Sequence, residues 1–454
     1  MKNLYFIQFL AIVFGIFQFS ICTAHKKESK SSADQQMVIT KNLPDSILLD
    51  LVQKQTVRYF WDFAHPVSGM ARERSNTFFG YGPEVVTTGG TGFGIMALIV
   101  ATERGWLARD SVARHLLKTV SFLYKADSYH GAFPHWLNGT TGKTIPFGRK
   151  DDGADLVETS YLFEGLLCAR QYFNGDNEVE KELRSRIGWL WNDVEWNWFT
   201  RGGEEVLYWH WSPNNGWAMN FPVRGFNECL ILYILAESAE QYPVSQNVYH
   251  RGWVESKFFK NGKSFYGYFL PLGFDYGGPL FFSQYSFLGL DPRGLKDIYA
   301  DYWIQNSHHA LINYSYCIDN PNRFKGYSEK CWGLTASDSY TGYDAQSPTN
   351  DNGTITPTAA LASFPYTPNQ SMMALRYFYE ELGPKIWGPY GFKDAFNESK
   401  DWVANSYLAI DQGPIVVMIE NYRTGLMWKL FMSCPEVQNG LKKLKFESPS
   451  LIKK

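Results

Sequence analysis

Asp151, Asp155 and Glu158 lie close together in the chain, followed by the apolar residues Leu156, Val157, Leu162, Phe163, Leu166 and Leu167. The i, i+4, i+7 spacing predicts that the three carboxylates share one face at the N-terminal end of a helix, with the apolar residues on its packed side. Clustered carboxylates split their pKa values, because ionising one makes ionising its neighbour harder. Glycoside hydrolysis uses such a split: one carboxyl group stays protonated to serve the leaving oxygen, and another is ionised to activate water or attack the sugar carbon. The plain alternative is structural. Asp151 or Asp152 would cap the helix and the others complement its dipole, a common arrangement worth about 1 kcal/mol.

A fourth acid, Glu228, falls just inside a helix start expected at Gly225–Ser238, directly after a loop carrying Trp209, Trp211 and Trp217 among Ser, Pro and Asn. Flat apolar rings with amides between them form a platform for sugars, and an ion pair of Glu228 with Arg224 is the structural alternative. Asp411 and Glu420 border the apolar run Ile415–Ile419. An ion pair between Glu420 and Arg423 accounts for the second of these equally well.

Other chemistries find less support. The glycine-rich run from Gly89 to Gly94 lacks the Lys-Ser or Lys-Thr of a phosphate-binding loop and a preceding strand, so it reads as a tight helix entry. His308 and His309 are neighbours on a helix and point apart, which does not suit a metal pair. The scattered cysteines lack zinc-ligand spacing; Cys168 and Cys229 sit in apolar helical patterns, and Cys317 and Cys331 flank a loop where they could pair. No cofactor is indicated.

Composition narrows the ligand. Lys and Arg total 43 against 45 for Asp and Glu, so no long-range field favours nucleic acid or an anionic membrane. Aromatic residues make up 17% of the chain, enough to cover a sugar-binding surface as well as a core. The expected partner is a neutral polysaccharide or oligosaccharide. At the N-terminus a short basic start and the apolar run Leu4–Ile21 predict an export signal over residues 1–24, followed by a polar tether over 25–40. Cleavage after Ala24 and lipidation of Cys22 are both open, as is retention of the run as an anchor. Either route places the protein in the periplasm or on the outer membrane of a bacterium.

The elements that must position the acids are helices. Periodicity recurs at 46–63, 92–103, 109–124, 155–172, 177–194, 225–238, 294–313, 357–363, 368–381 and 435–444, separated by long loops at 199–224, 259–285 and 314–356. Strand alternation is scarce. Helices in succession with no internal linker predict one all-α domain over residues 41–454, an (α/α)6 toroid of six helical hairpins using about 70 residues each. A stacked solenoid is the competitor, disfavoured by the irregular loops and the missing repeat period.

Taken together, Tyr59–Pro66, Arg72–Ser75, Thr87–Gly94, the Asp151–Glu158 segment, the Trp209–Asn220 loop with Glu228, and Ala409–Pro414 resemble the bacterial glucoamylase-like proteins of glycoside hydrolase family 144. The resemblance extends over residues 45–445. It implies an (α/α)6 toroid with an acid-lined cleft and hydrolysis of β-1,2-glucan with inversion at the anomeric carbon; an endo-acting monomer is expected, and no metal is indicated. It also implies a catalytic centre of Asp151, Asp155, Glu158 and Glu228 with Asp411 and Glu420 nearby. Carboxylate spacing and loop composition give the expectation that Glu228 donates the proton and Asp155 and Glu158 organise the attacking water. His65, Arg72 and Arg224 join Trp209, Trp211 and Trp217 as expected sugar contacts. Competing functions are an exo-acting enzyme releasing sophorose, a non-catalytic surface glycan-binding protein, and a polysaccharide lyase, the last disfavoured by the charge balance.

Overall fold

The computed structural model describes residues 39–76 and 82–451. The expected export signal, Cys22 and residues 25–38 of the tether lie outside that range. The described chain is mostly helical, with short two- and three-stranded sheets between the helices.

Helices that are apolar all round are buried, and helices with one apolar stripe pack outside them. Thr88–Glu103 (α2), Leu156–Tyr172 (α4) and Ala409–Arg423 (α11) are of the first kind and are almost entirely enclosed. Asp45–Trp61 (α1), Arg109–Leu123 (α3) and Glu178–Asp193 (α5) are of the second, with exposed polar faces. The α2–α4 contact is a close crossing at paired glycines. A Cβ on Gly92 would stand 2.1 Å from the Tyr161 carbonyl oxygen, and one on Gly165 would stand 2.1 Å from that of Gly92. This approach carries the first turn of α2 to the acids at the start of α4. The glycine run is therefore a helix entry, as its sequence implies, although a short strand, Val85–Thr87, does precede it, contrary to the sequence reading.

Several expected elements are displaced. The helix expected at 225–238 runs Leu230–Ser238 (α6), and the one expected at 294–313 runs Tyr302–Asp319 (α7), where the Asp301 carboxylate caps the free N–H groups of Trp303 and Ile304. Between the short helices Pro357–Leu361 (α8) and Gly383–Ile386 (α10), the stretch expected at 368–381 divides into an α-helix at Pro368–Arg376 (α9) and a π-helical turn at Tyr377–Glu381. Helix α11 is absent from the periodicity reading because Gly413-Pro414 reads as a stop. Its Gly413 instead sits against Phe93, where a Cβ would approach within 2.4 Å, and packing into the core overrides the breaker. Cys317 and Cys331, open to pairing by sequence, are separate buried thiols, as are Cys168, Cys229 and Cys434.

The long loops carry short hairpins. Val85–Thr87 (β1), Trp136–Asn138 (β2) and Thr144–Ile145 (β3) form one antiparallel sheet, His210–Trp211 (β5) pairs antiparallel with Ala154–Asp155 (β4), Lys260–Phe265 (β6) with Tyr268–Leu272 (β7), and Ala336–Ser339 (β8) with Gly342–Ala345 (β9).

Candidate active site

At the N-terminal ends of α2 and α4 lies a cavity of about 320 Å³. Asp151, Asp155, Glu158 and Glu228 all line it, with Glu73, Arg74, His135, His210 and a wall of aromatic side chains that includes Trp136, Phe147, Trp209, Phe221, Tyr285 and Tyr343. The four acids are thus brought together, though not by one helical face. Asp155 is the N-cap of α4 and part of β4, Asp151 lies in the preceding turn, and only Glu158 is within the helix. Glu228 stands in a turn two residues before α6, and Arg224 does not pair with it.

Asp155 is fully buried and fully engaged. Its Oδ1 accepts the backbone N–H groups of Val157 (3.0 Å) and Glu158 (2.9 Å). Its Oδ2 lies 3.0 Å from His135 Nδ1 and 3.6 Å from His210 Nε2. Burial alone would raise its pKa, but the hydrogen bonds and charges of the two imidazoles hold it well below the usual carboxylate range. The imidazoles respond in kind. Burial would lower His135, yet the negative charge of Glu158, with Asp155 and Asp151, pushes it up to about 9. Likewise Asp151, 3.2 Å from His210 Nε2, and Asp155 outweigh burial and push His210 up to about 10. The Asp155 carboxylate is thus bonded to two backbone N–H groups and one imidazole and faces a second imidazole at 3.6 Å, a setting that suits positioning of the rings more than the organising of water expected of it.

Glu158 and Glu228 are the groups free to do proton chemistry. Burial, with the nearby charges of Asp155 and Asp151, pushes Glu158 up to about 7, while His135 and the Gly89 N–H, 2.8 Å from Oε2, favour its ionised form. Its Oε1 is 4.0 Å from His135 Nε2. Burial pushes Glu228 up to about 8, with Glu158 and Asp155 adding repulsion. The Glu228 backbone carbonyl accepts the hydroxyls of Ser286 and Tyr161, which fixes the turn, and its side-chain Oε2 is buried with no hydrogen-bond partner.

Among the described residues, Asp151, Asp155 and His210 have ligand atoms within 4.8 Å of one another, a spacing that could hold a cation. In the structure His210 Nε2 stands 3.2 Å from Asp151 and 3.6 Å from Asp155.

The remaining candidates fall elsewhere. Asp411 is buried beside Asp394 behind the cavity wall, to which its neighbour Ile410 belongs. Burial, with the charge of Asp338, pushes Asp394 up to about 8 although the neighbouring Asp411 carboxyl favours its ionised form, and burial with the charge of Asp394 pushes Asp411 well above the usual carboxylate range. Glu420 lies more than two helical turns further along α11 and receives two hydrogen bonds from Arg104, at 2.9 and 3.0 Å. It is a structural ion pair, and Arg423 bonds Asp50 and Gln53 instead. His65 is buried with its Nε2 3.3 Å from Glu84. Arg72 donates to the carbonyls of Pro83 and Phe63, and Arg224 to those of Arg251 and Gly252. None of these three lines the cavity, because each is spent on tying loops together. Trp209 does line it; Trp211 and Trp217 do not.

Sequence reasoning passed over His135, His210, Glu73 and Arg74. Arg74 donates to both oxygens of Asp338 (3.2 and 3.0 Å) as well as to Glu73, and so presents a fixed guanidinium at the cavity. Its signal was the Arg72–Ser75 motif, in which the choice fell on the wrong arginine. His210 stood between two tryptophans taken as the informative residues.

A family model for glucoamylase-like proteins, Glycoamylase, matches residues 220–435. The structure of an endo-β-1,2-glucanase from Chitinophaga pinensis, solved with sophorotriose and glucose, is 56% identical with a TM-score of 0.88, covering 90% of this chain and 100% of that one. The chain belongs to glycoside hydrolase family 144, the glucoamylase-like family. A curated relative from Parabacteroides distasonis, an exo β-1,2-glucooligosaccharide sophorohydrolase acting from the non-reducing end, is 47% identical over 436 residues, which cover 91% of this chain. The chain spans 60% of that relative's length. A fungal endo-β-1,2-glucanase from Talaromyces funiculosus, 10% identical with a TM-score of 0.63, shares the fold.

Proposed function

We propose that this family 144 protein is a glycoside hydrolase that cleaves β-1,2-glucan internally and with inversion. One observation carries the chemistry: Glu228 faces the cavity with a buried, unpartnered carboxyl oxygen and a pKa pushed up to about 8, the properties of a proton donor to a leaving oxygen. Glu158 is the partner that, once ionised, takes a proton from the attacking water, and its anion is supported by the Gly89 N–H and the His135 imidazolium. Asp151 and Asp155 hold the imidazoles, and Trp209 with the neighbouring rings supplies faces for pyranose stacking. The substrate assignment rests on the names of the Chitinophaga and Parabacteroides relatives.

The wider reading is that residues 41–454 form one catalytic domain, an (α/α)6 toroid with buried helices as the inner ring and amphipathic ones outside, acting as a monomer. Residues 1–24 direct export, with lipidation of Cys22 or cleavage after Ala24 as the two routes, and the protein works in the periplasm or on the outer membrane.

Chromatography of products from linear β-1,2-glucan, beside β-1,3, β-1,4 and α-1,4 glucans, tests the activity. The expected result is a ladder of β-1,2 oligosaccharides from the first substrate alone. Sophorose as the single product from the first minutes would replace the endo reading by the exo one, and binding without cleavage would leave a glycan-binding protein.

A further inference from the structure

We propose that the outer side of the β4–β5 ribbon is a second contact surface for glucan, separate from the cavity and used by long chains. His210 and Trp211 are consecutive in β5. Pleating sends His210 to the acids, while Trp211 goes to the opposite side with its register partner Ala154. There it meets His130 edge-on at 5.2 Å and Trp198 at 6.4 Å, and Trp198 in turn lies 6.4 Å from Trp217.

These rings are grouped but not enclosed. Trp198 is 39% exposed, and His130, Trp211 and Trp217 are half-buried, whereas Trp196, Trp253, Trp332 and Trp428 are each less than 2% exposed in the core. Trp211 and Trp217 pack one side against the core and His130 stacks on one face of Trp198 at 3.8 Å, so the rings are held in place with their outer sides at the surface, as a preformed binding face requires. Its rim carries the exposed Asn197, Asn214 and Asn215; the last two donate their amide N–H groups to Asp152 and Ser212, which fixes them, and their neutral amide oxygens suit hydroxyls better than ions. The face is also continuous with the cavity wall, because the loop bearing Trp217 continues into the lining residues Met219 and Phe221.

The choice of β-1,2-glucan as occupant rests on the proposed activity, so binding and turnover are measured separately. Calorimetric titration of long linear β-1,2-glucan, and of a four-unit β-1,2-gluco-oligosaccharide, is carried out on Glu228→Gln and on the double variant with Trp198→Ala. Loss of the exposed ring is expected to weaken polymer binding on the order of tenfold, about 1.4 kcal/mol. Binding of the short ligand should be unchanged, and Trp198→Phe should restore the polymer affinity. With the acid intact, Trp198→Ala should raise KM for polymer and leave kcat and short-chain turnover unaltered. Equal polymer affinity with and without the ring overturns the second surface, whatever the turnover. Trp198-dependent binding by a wild-type protein that cleaves no glucan would uphold the surface and overturn the hydrolase reading instead.

Discussion

Glu228→Gln is expected to lower kcat/KM on linear β-1,2-glucan on the order of 10³-fold, within the range that a positioned general acid contributes. The amide keeps the shape of the side chain, and the turn is held through the backbone carbonyl by Ser286 and Tyr161, so the variant should fold as the wild type does. The loss should shrink sharply on an aryl β-sophoroside whose leaving group needs no proton. The pH dependence follows from the same assignment. Turnover requires Glu158 ionised, so kcat/KM rises as pH passes about 7; it requires Glu228 protonated, so it falls above about 8. The two carboxyls interact, and the limbs of the bell belong to the pair. In Glu228→Gln the alkaline limb should disappear, while the acid limb stays near pH 7, because Glu228 is uncharged while Glu158 titrates. A variant with wild-type turnover and an unaltered alkaline limb would assign the donor elsewhere.

Asp155→Asn should be costly in both stability and activity. The amide oxygen can still cap α4 through Val157 and Glu158, but the other half of the group then faces His135 and His210 without charge. Breaking a buried ionic cluster by removing one partner costs about 3 kcal/mol or more, and denaturant unfolding would read it. The sign of the pH effect is fixed by the imidazoles. Their folded pKa values, about 9 and about 10, lie above the unfolded value, so their contribution is complete below about 6.5 and fades as pH rises through the folded values. Asp155 itself is depressed, and its contribution is lost as pH falls below about 4. The stability gap between wild type and variant should therefore be widest at pH 5 to 6 and narrow toward pH 10. Turnover should fall on the order of 10²-fold, because His135 no longer stands where it favours the ionised Glu158. Equal stability at pH 6 would show that the imidazoles are not held by this carboxylate.

The sequence carried much of the fold because its buried helices are apolar all round and its outer ones amphipathic, and those periods survive any choice of loop. It misjudged α11, where Gly413-Pro414 imitates a break that the packing of Gly413 on Phe93 overrides, and α7, whose start is set by the Asp301 cap rather than by periodicity. At the site, the acids were legible because Asp151, Asp155 and Glu158 lie within eight residues of one another and so must meet in space. Their partners were not. His135 reaches Asp155 from a loop twenty residues earlier, and Arg74 reaches Asp338 across 264 residues, contacts that only the tertiary fold creates. The same limit made Glu420 look catalytic and Arg72 a sugar contact, although both are consumed by structural bonds. Trp211 and Trp217 were read as one platform with Trp209, whereas strand pleating directs Trp211 away from the acids and Trp217 joins it outside the cavity wall.

Proton NMR of the first minutes of hydrolysis of linear β-1,2-glucan by the wild-type protein tests the central claim most directly. The account predicts new reducing ends that appear first as the α-anomer and then relax to the equilibrium mixture, with no signal from Glu228→Gln over the same interval. A β-anomer appearing first would contradict direct attack by water, and no new reducing end at all would contradict the assignment of this chain as a β-1,2-glucan hydrolase.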